Sequence, residues 1–271
     1  MVRRAAALLL LTVAVPLAAQ PAGDTAKTAA DPANPLAAAL AAPTRTPANL
    51  ARDKYRHPAE TLAFFGVQPG QTVVELWPGG GWYTEILAPY LASGGALYVV
   101  PPAGNYDQRI RTKLAGNPAY GAVQVATFNA GQPTSIASGS ADVVLTFRNV
   151  HSWLDADAPI ADQVFAEAFR VLKPGGTLGV EEHRLPEAAD KARETSSGYV
   201  KVSTVRELAE KAGFQYVGSS EINANPKDIA DWPKGVWTLP PSLTLGDTDR
   251  EKYLAIGESD RMTLKFMKPK P

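Results

Sequence analysis

Residues 72–87 constrain the fold of this chain more than any other stretch of the sequence. They begin with Thr-Val-Val-Glu-Leu, in which Val73, Val74 and Leu76 are apolar. Such a short apolar run is typical of a strand buried on both faces. A proline and three consecutive glycines follow, and helical spacing of apolar residues resumes from Tyr83. A strand, a glycine turn and a helix in this order predict the opening unit of a doubly wound nucleotide-binding sheet.

The glycine turn and the carboxylate before it form a candidate ligand site. Glycines at 79–81 let a ligand approach the backbone closely, because no side chain stands between them. The helix that follows would present free N–H groups and the positive end of its dipole. Glu75 lies at the end of the strand, on the sheet edge where such folds bind ligands. The alternative is a purely structural turn with Glu75 in solvent, since a glycine loop alone is a weak signal.

Composition excludes several classes of function. The chain has 271 residues, of which 45% are hydrophobic, and this is enough for one substantial core. It has 27 basic and 27 acidic residues with no dense basic stretch, so we expect no nucleic-acid partner. It contains no cysteine, which excludes disulfides, thiolate metal sites and thiol nucleophiles.

The first residues have the order of a secretory signal peptide. Arg3 and Arg4 precede an uncharged apolar stretch to about residue 19, and small residues follow. The stretch is short for a bilayer span, although an uncleaved anchor is the alternative. We expect a signal peptide at 1–22, no stable membrane anchor after cleavage, and a periplasmic or secreted protein. Residues 23–45 are rich in Ala, Pro and Thr and are predicted to form a disordered linker.

Strands and helices alternate after the linker. Apolar runs predict six further strands near residues 96–100, 123–127, 141–147, 177–182, 214–222 and 262–267. We therefore expect one α/β domain at 46–271, with a doubly wound, mostly parallel seven-stranded sheet, helices on both faces and an antiparallel last strand. Residues 174–176, Pro-Gly-Gly, are expected to end the helix before the fifth strand.

Two segments of the domain are candidates for covering a ligand. Residues 48–65 carry a dense charged and aromatic start and then an amphipathic helix that ends at Gly66. This segment is either a lid or a solvated helix face with Phe64 and Phe65 in the core. The insertion at 223–261 is long and irregular, and such loops often cover a site.

The order of motifs resembles class I S-adenosylmethionine-dependent methyltransferases across the whole domain. Residues 75–81 resemble the family's first motif, an acidic residue followed by glycines. Residues 147–151 and 170–176 resemble the motifs at the fourth strand and before the fifth. The glycine-rich form, the charged lead-in and the signal peptide are similar to a group of exported bacterial methyltransferases.

This resemblance implies S-adenosylmethionine as the cofactor and a small molecule as the methyl acceptor. Glu75 would accept a hydrogen bond from the ammonium group of the cofactor or from a water. Asn129 would accept one from the adenine amino group. The cofactor-binding residues that the resemblance implies are Glu75, Gly79, Gly80, Gly81, Asn129, Arg148 and Asn149.

The chain departs from the family pattern at two places. Trp77 stands where the family has its first glycine, and Val-Pro-Pro at 100–102 replaces the ribose-binding carboxylate. Asp107 or Asn105 would have to reach back to replace that acid. These departures favour a second hypothesis, a non-catalytic methyltransferase-fold ligand-binding protein of the cell envelope. A nicotinamide dehydrogenase is a weaker third hypothesis, because the spacing of the glycines differs from that of the dinucleotide-binding fingerprint.

His151 and His183 are the candidate catalytic residues. They follow the fourth and fifth strands and should emerge at the ligand-binding edge, where an imidazole can move a proton near neutral pH. Methyl transfer needs such a base only when the acceptor must lose a proton. The alternative is a satisfied polar residue at each strand end. We predict no metal site, because residues alternate along a strand and only Glu181 and His183 would share a face.

Overall fold

A computed structural model describes residues 34–154 and 157–271. The predicted signal peptide and residues 23–33 of the predicted linker therefore lie outside the described residues. Within the described ranges, the helices are too short or too polar to cross a bilayer. These residues form one mixed sheet with helices packed against both of its faces.

The sheet contains eight strands in the described part of the chain. Seven of them follow the order β3-β2-β1-β4-β5-β8-β7, and β6 pairs with β5 outside that order. Only the pairings of β8, with β5 and β7, are antiparallel. The strands are β1 Thr72–Leu76, β2 Ala96–Val100, β3 Gln124–Val125, β4 Ala141–Phe147, β5 Leu172–Leu185, β6 Val200–Lys201, β7 Gln215–Ser220 and β8 Arg261–Met267. The predicted fold class is confirmed, and β6 is a short strand that the sequence did not indicate.

Ten α-helices lie in the described ranges. Four of them, α1 to α4, precede β1, and the others connect the strands or lie in the insertion before β8. They are α1 Pro35–Leu40, α2 Pro47–Leu50, α3 Asp53–Arg56, α4 Pro58–Phe65, α5 Thr84–Leu91, α6 Asn105–Ala115, α7 Val150–Trp153, α8 Ala161–Val171, α9 Val202–Lys211 and α10 Arg250–Ile256.

The central position of β1 explains why its sequence is apolar without alternation. Val73 and Val74 are both fully buried, and because successive side chains point to opposite faces, they enter different layers. Val73 packs in the layer that contains Ile86 of α5. Val74 packs in the layer that contains Phe165 of α8. The carboxyl end of β1 is thus fixed between two cores, which gives the residues that follow it a rigid support.

The structure differs from the prediction at the end of the linker. Residues 35–40 form α1, and Ala39 of this helix is only 2% exposed within the core that also contains α5. The side chain of Asn34 caps α1 by accepting a hydrogen bond from the Ala37 N–H at 3.1 Å. Alanine is the strongest helix former and lets two helices approach closely. Residues 34–45 therefore pack as part of the domain, although their composition indicated a linker.

The segment between α8 and β5 also differs from the prediction. The Pro-Gly-Gly sequence at 174–176 was expected to end the helix, but α8 already ends at Val171. The strand begins at Leu172, which pairs with Ala141, and a register shift separates this pair from the next. Proline and glycine are compatible with a strand at such an irregularity. The Pro-Gly-Gly sequence thus marks an irregular start of β5.

Replacing Gly179 with alanine is expected to lower the free energy of unfolding by about 1–3 kcal/mol. A Cβ atom at Gly179 in β5 would lie 2.6 Å from the ring of Phe65, which is fully buried in the core. The measurement is urea unfolding. The matched control is Gly218→Ala in β7, where a Cβ would meet no described atom within 4 Å. The control is expected to change stability by less than about 0.5 kcal/mol, and equal effects would contradict the packing described here.

Candidate active site

The candidate site lies where β1 and β4 end. The residues that follow them, Trp77 and Arg148, both have a left-handed backbone, with φ of 48° and 61°. The Trp77 N–H donates to the Val100 carbonyl at 2.9 Å, and the Arg148 N–H donates to the Glu181 carbonyl at 2.7 Å. Each residue therefore extends its strand by one hydrogen bond and then turns the chain sharply. The left-handed conformation at Trp77 explains why glycine would suit this position better.

A cavity of about 200 Å³ opens beside this turn. Gly79 and Gly80 are exposed on its wall, and a Cβ atom at either would meet no described atom within 4 Å. We call it the glycine-loop cavity. Its lining residues are Asn49, Arg52, Arg56, Glu75, Trp77, Pro78, Gly79, Gly80, Trp82, Tyr83, Phe147, Arg148 and Asn149.

Glu75 is the buried acid of the glycine-loop cavity. It is 2% exposed, and its Oε2 accepts a hydrogen bond from the Thr84 hydroxyl at 2.6 Å. Burial raises the pKa of Glu75 to about 7, although the Thr84 hydrogen bond and the charge of Lys113 oppose this rise. A cationic ligand group in the cavity would favour the ionised form of this carboxyl group.

Glu75→Gln is expected to change how stability depends on pH. The folded-state pKa of about 7 lies above the ordinary value of 4.5, so the folded protein retains a proton that the unfolded chain has lost. Stability therefore falls as pH rises from about 4.5 to 7. The glutamine variant lacks this fall and should gain up to about 3 kcal/mol over the wild type between pH 4.5 and 8. Urea unfolding across this range measures the difference, and a pH-independent difference would show that Glu75 titrates normally.

The other predicted cofactor residues fall in different places. Asn149 lines the glycine-loop cavity, and its side-chain amide donates to the carbonyls of Leu76 and Trp77, both at 3.2 Å. These two hydrogen bonds therefore hold the end of β1 in place. Gly81 packs against α6, where a Cβ would meet the Lys113 side chain at 2.9 Å. Asn129 is exposed and lies outside the described lining of the cavity.

A second cavity, of about 290 Å³, adjoins the first. We call it the histidine cavity because it brings together the two histidines that the sequence predicted at this edge. It shares Arg52, Arg56 and Arg148 with the glycine-loop cavity, so the two meet at these side chains. Its remaining lining residues are His151, His183, Val236, Trp237, Pro240, Pro241, Ser242, Glu258 and Ser259.

The two histidines have different partners. His151 Nδ1 lies 3.0 Å from Glu182 Oε1, and the His151 side chain is 12% exposed. A carboxylate in this position orients the ring and leaves its other nitrogen directed elsewhere. His183 Nδ1 lies 2.5 Å from the Ser259 hydroxyl. Burial, followed by the neighbouring His151, lowers the pKa of His183 well below its ordinary value, so its imidazole is neutral at pH 7.

His151, Glu182 and His183 together have the geometry of a possible cation site. Each offers a ligand atom, and these atoms lie within 4.8 Å of one another. The sequence argument against a metal was incomplete, because it considered only Glu181 and His183 and could not place His151 beside Glu182. A divalent cation could use such a set. The guanidinium of Arg148 lines the same cavity and opposes a cation there.

An ion-pair cluster borders both cavities, and sequence reasoning did not find it. Glu258 contacts Arg52 at 2.6 Å and Arg56 at 3.1 Å, and it is also paired with Arg261 at 3.5 Å. Burial alone would raise the pKa of Glu258, but Arg56 and Arg261 outweigh it and hold the pKa at about 2. The dense charge of residues 52–56 was the one available signal for this cluster.

The segments predicted to cover a ligand do border the site. The Trp82 indole N–H donates to the Asn49 carbonyl at 3.0 Å, which fixes α2 over the glycine turn. From the other side, the insertion contributes Trp237 and Glu258 to the histidine cavity. Arg52 of the lead-in contacts Glu258 of the insertion, so the two segments join above the sheet edge. The start of residues 48–65 therefore lies over the site, while Phe65 at the end of the segment is fully buried in the core, so each interpretation describes one part of the segment.

Comparison with known proteins finds a match to methyltransferases over part of the chain. Residues 74–180 match the model of the methyltransferase domain. An arsenite methyltransferase of Halobacterium salinarum is 24% identical over an alignment of 180 positions, which covers 63% of this chain but only 44% of that protein. The chain thus matches less than half the length of this curated relative.

Solved structures show a similar fold. A SAM-dependent methyltransferase from Aquifex aeolicus superposes with a TM-score of 0.56 at 16% identity, covering 80% of this chain and 93% of that chain. A geranyl diphosphate methyltransferase in complex with SAM superposes with a TM-score of 0.55 at 15% identity, covering 85% of this chain and 94% of that chain. At this level of identity the likeness shows the fold.

Proposed function

We propose that the protein is an S-adenosylmethionine-dependent methyltransferase that methylates a small molecule bound in the histidine cavity, and the match of residues 74–180 to the methyltransferase domain supports this proposal. The observation that carries this proposal is the junction of the two cavities at Arg148. One cavity has a glycine turn and a buried acid, and the other has a histidine oriented by a carboxylate. Group transfer between two ligands requires such adjoining sites.

The glycine-loop cavity fits the methionine end of the cofactor. Glu75 would accept from its ammonium group, and the open backbone at Gly79 and Gly80 leaves room for the chain beyond it. The guanidinium groups that line the cavity suit its carboxylate. When bound, S-adenosylmethionine supplies a methyl group on a positively charged sulfur.

His151 is the residue that we propose as the general base. Its Nδ1 faces Glu182, so an N–H there would donate to the carboxylate and leave the lone pair of Nε2 for the acceptor's proton. His183 is neutral and hydrogen-bonded to Ser259, which makes it a polar wall of the same cavity. The lid excludes water from the reacting atoms by closing the lead-in against the insertion.

Calorimetry with S-adenosylmethionine or S-adenosylhomocysteine tests this function. We expect binding in the micromolar range, about −8 kcal/mol. Gly79→Val should weaken it at least about 100-fold, because a β-branched side chain both enters the cavity and opposes the left-handed backbone at φ 56°. The control Gly139→Val, at a surface turn with φ 65°, imposes similar backbone strain away from the cavity. Equal loss of binding in both variants would place the cofactor elsewhere.

One specific observation favours the second candidate, a non-catalytic ligand-binding protein. The Trp77 indole packs against Phe128 at 5.0 Å, beside the end of β3 where the resemblance places the adenine. Asp107, a possible replacement for the ribose acid, instead accepts from Thr127 at 2.6 Å and Arg111 at 2.8 Å. Under this second function, Trp77→Gly would create cofactor binding that the wild type lacks. Under the enzyme function, the wild type already binds.

We also propose that the mature protein is exported, on the basis of the basic, apolar and small-residue order of its first residues. The test is N-terminal sequencing of the protein recovered from the cell envelope. A mature N-terminus near residue 20 is expected. Recovery of the intact N-terminal methionine from the cytosol would contradict export.

A further inference from the structure

We propose that the methyl acceptor carries an anionic group, a carboxylate or a phosphate, which Arg52, Arg56 and Arg148 bind where the two cavities meet. This inference rests on the proposed function and names the chemical class of its substrate. It starts from the charges that surround the junction of the cavities. Guanidinium groups match carboxylates and phosphates in geometry as well as in charge.

The junction has a surplus of positive charge. Four guanidinium groups, those of the three shared arginines and of Arg261, surround the carboxylates of Glu181 and Glu258. This leaves two positive charges without a negative partner in the cluster. If Glu182, which contacts His151, is included, one positive charge still remains. Buried charges are normally paired, so an uncompensated charge beside a cavity points to a ligand of opposite sign.

Arg56 gives the most direct evidence that a negatively charged partner is missing. It is 2% exposed, and its Nε donates to Glu258 at 3.1 Å, but its Nη1 is buried without a hydrogen-bond partner among the described residues. Burial, and next the charge of Arg148, lower the pKa of Arg56 well below its ordinary value. An anion between Arg56 and Arg148 would relieve this repulsion and give the unpaired donor a partner.

The cofactor does not remove the surplus of positive charge. Its carboxylate would pair with one guanidinium group of the glycine-loop cavity, but its ammonium and sulfonium groups carry two positive charges, so the net charge of the bound cofactor is positive. The acceptor occupies the other side of the same arginines, in the histidine cavity. Arg148 is 19% exposed and Arg52 is 24% exposed, so both can contact a ligand there. Trp237 and Pro240 in the same cavity suit an apolar ring or chain attached to the anionic group.

The test compares three probes in calorimetry on the protein saturated with S-adenosylhomocysteine. Benzoate and phenyl phosphate carry the two anionic groups, and benzamide is the neutral counterpart of benzoate. At least one anion should bind about tenfold or more tightly than benzamide, and the preferred anion identifies the group. The preference should shrink at about 0.5 M salt, because charge interactions at a partly open site are screened.

Two variants link the preference to the arginines. Arg148→Gln and Arg52→Gln should each reduce the preference for the anion to about threefold or less. If Arg148→Gln fails to fold, Arg52→Gln alone tests the inference. The Arg52 side chain is about one-quarter exposed, so its replacement disturbs the fold less. The control Arg206→Gln, on the exposed face of α9, should keep the full preference.

Two results would overturn the inference in distinguishable ways. Benzamide binding as tightly as both anions to the loaded protein would remove the anionic acceptor and leave the methyltransferase function standing. Anion binding that is unchanged in both variants would likewise remove the anionic acceptor and leave the methyltransferase function standing. Failure of S-adenosylhomocysteine to bind at all would contradict the proposed function, and the inference would fall with it.

Discussion

His151→Ala is expected to lower the rate of methyl transfer about 100- to 10,000-fold, which is the usual contribution of a general base. The reason is the geometry at the end of β4. Glu182 orients the imidazole ring of His151 through the 3.0 Å contact at Nδ1, and Nε2 is left to take the acceptor's proton. The measurement is transfer of radiolabelled methyl groups from S-adenosylmethionine to small molecules of a cell extract.

A control variant at another histidine separates a general base from a structural residue. His57, the third histidine of the chain, lies outside both cavities, so His57→Asn should keep activity within about threefold. Retention of full activity by His151→Ala would show that the acceptor needs no base from this residue.

Arg261→Met is expected to lower the free energy of unfolding by about 3–5 kcal/mol. Arg261 is 1% exposed, and its Nη1 contacts Glu181 at 3.0 Å, while Nη2 donates to the Tyr55 carbonyl. Its removal leaves the fully buried Glu181 carboxylate without its nearest cation. For a domain of this size the melting temperature should fall by roughly 6–20 °C, as measured by circular dichroism.

The double variant and a surface control test this reading of Arg261. Arg261→Met combined with Glu181→Gln should be more stable than Arg261→Met alone, because the unpaired buried charge is gone. Arg206→Met breaks an exposed pair with Glu210 and should cost less than about 1 kcal/mol. Equal destabilisation by Arg261→Met and Arg206→Met would mean that the buried cluster contributes no more than a surface ion pair.

Much of the sheet could be predicted because local sequence decides it. The strands at 96–100 and 141–147 have the same bounds in the structure as in the sequence analysis. Each is a short run of apolar and β-branched residues between turn signals, and a central parallel strand needs nothing more. Where local composition misleads, as in the alanine-rich segment that forms α1, packing against another helix decides the outcome.

The site was predictable only where topology alone positions a side chain. Glu75, His151 and His183 follow from strand ends that must share one edge of a parallel sheet. The arginine cluster does not, because Arg52 and Glu258 are 206 residues apart and no local pattern relates them. The contact between His151 and Glu182 was missed for a similar reason, since it joins the start of α7 to the end of β5.

The most direct test of the account is a crystal structure of the protein with S-adenosylhomocysteine. We predict that the homocysteine part lies between Glu75 and the backbone of Gly79 and Gly80, with its sulfur facing the histidine cavity past Arg148. A ligand bound outside the glycine-loop cavity would contradict this account. So would a Trp77 indole that fills the place of the nucleoside and keeps the sulfur away from His151.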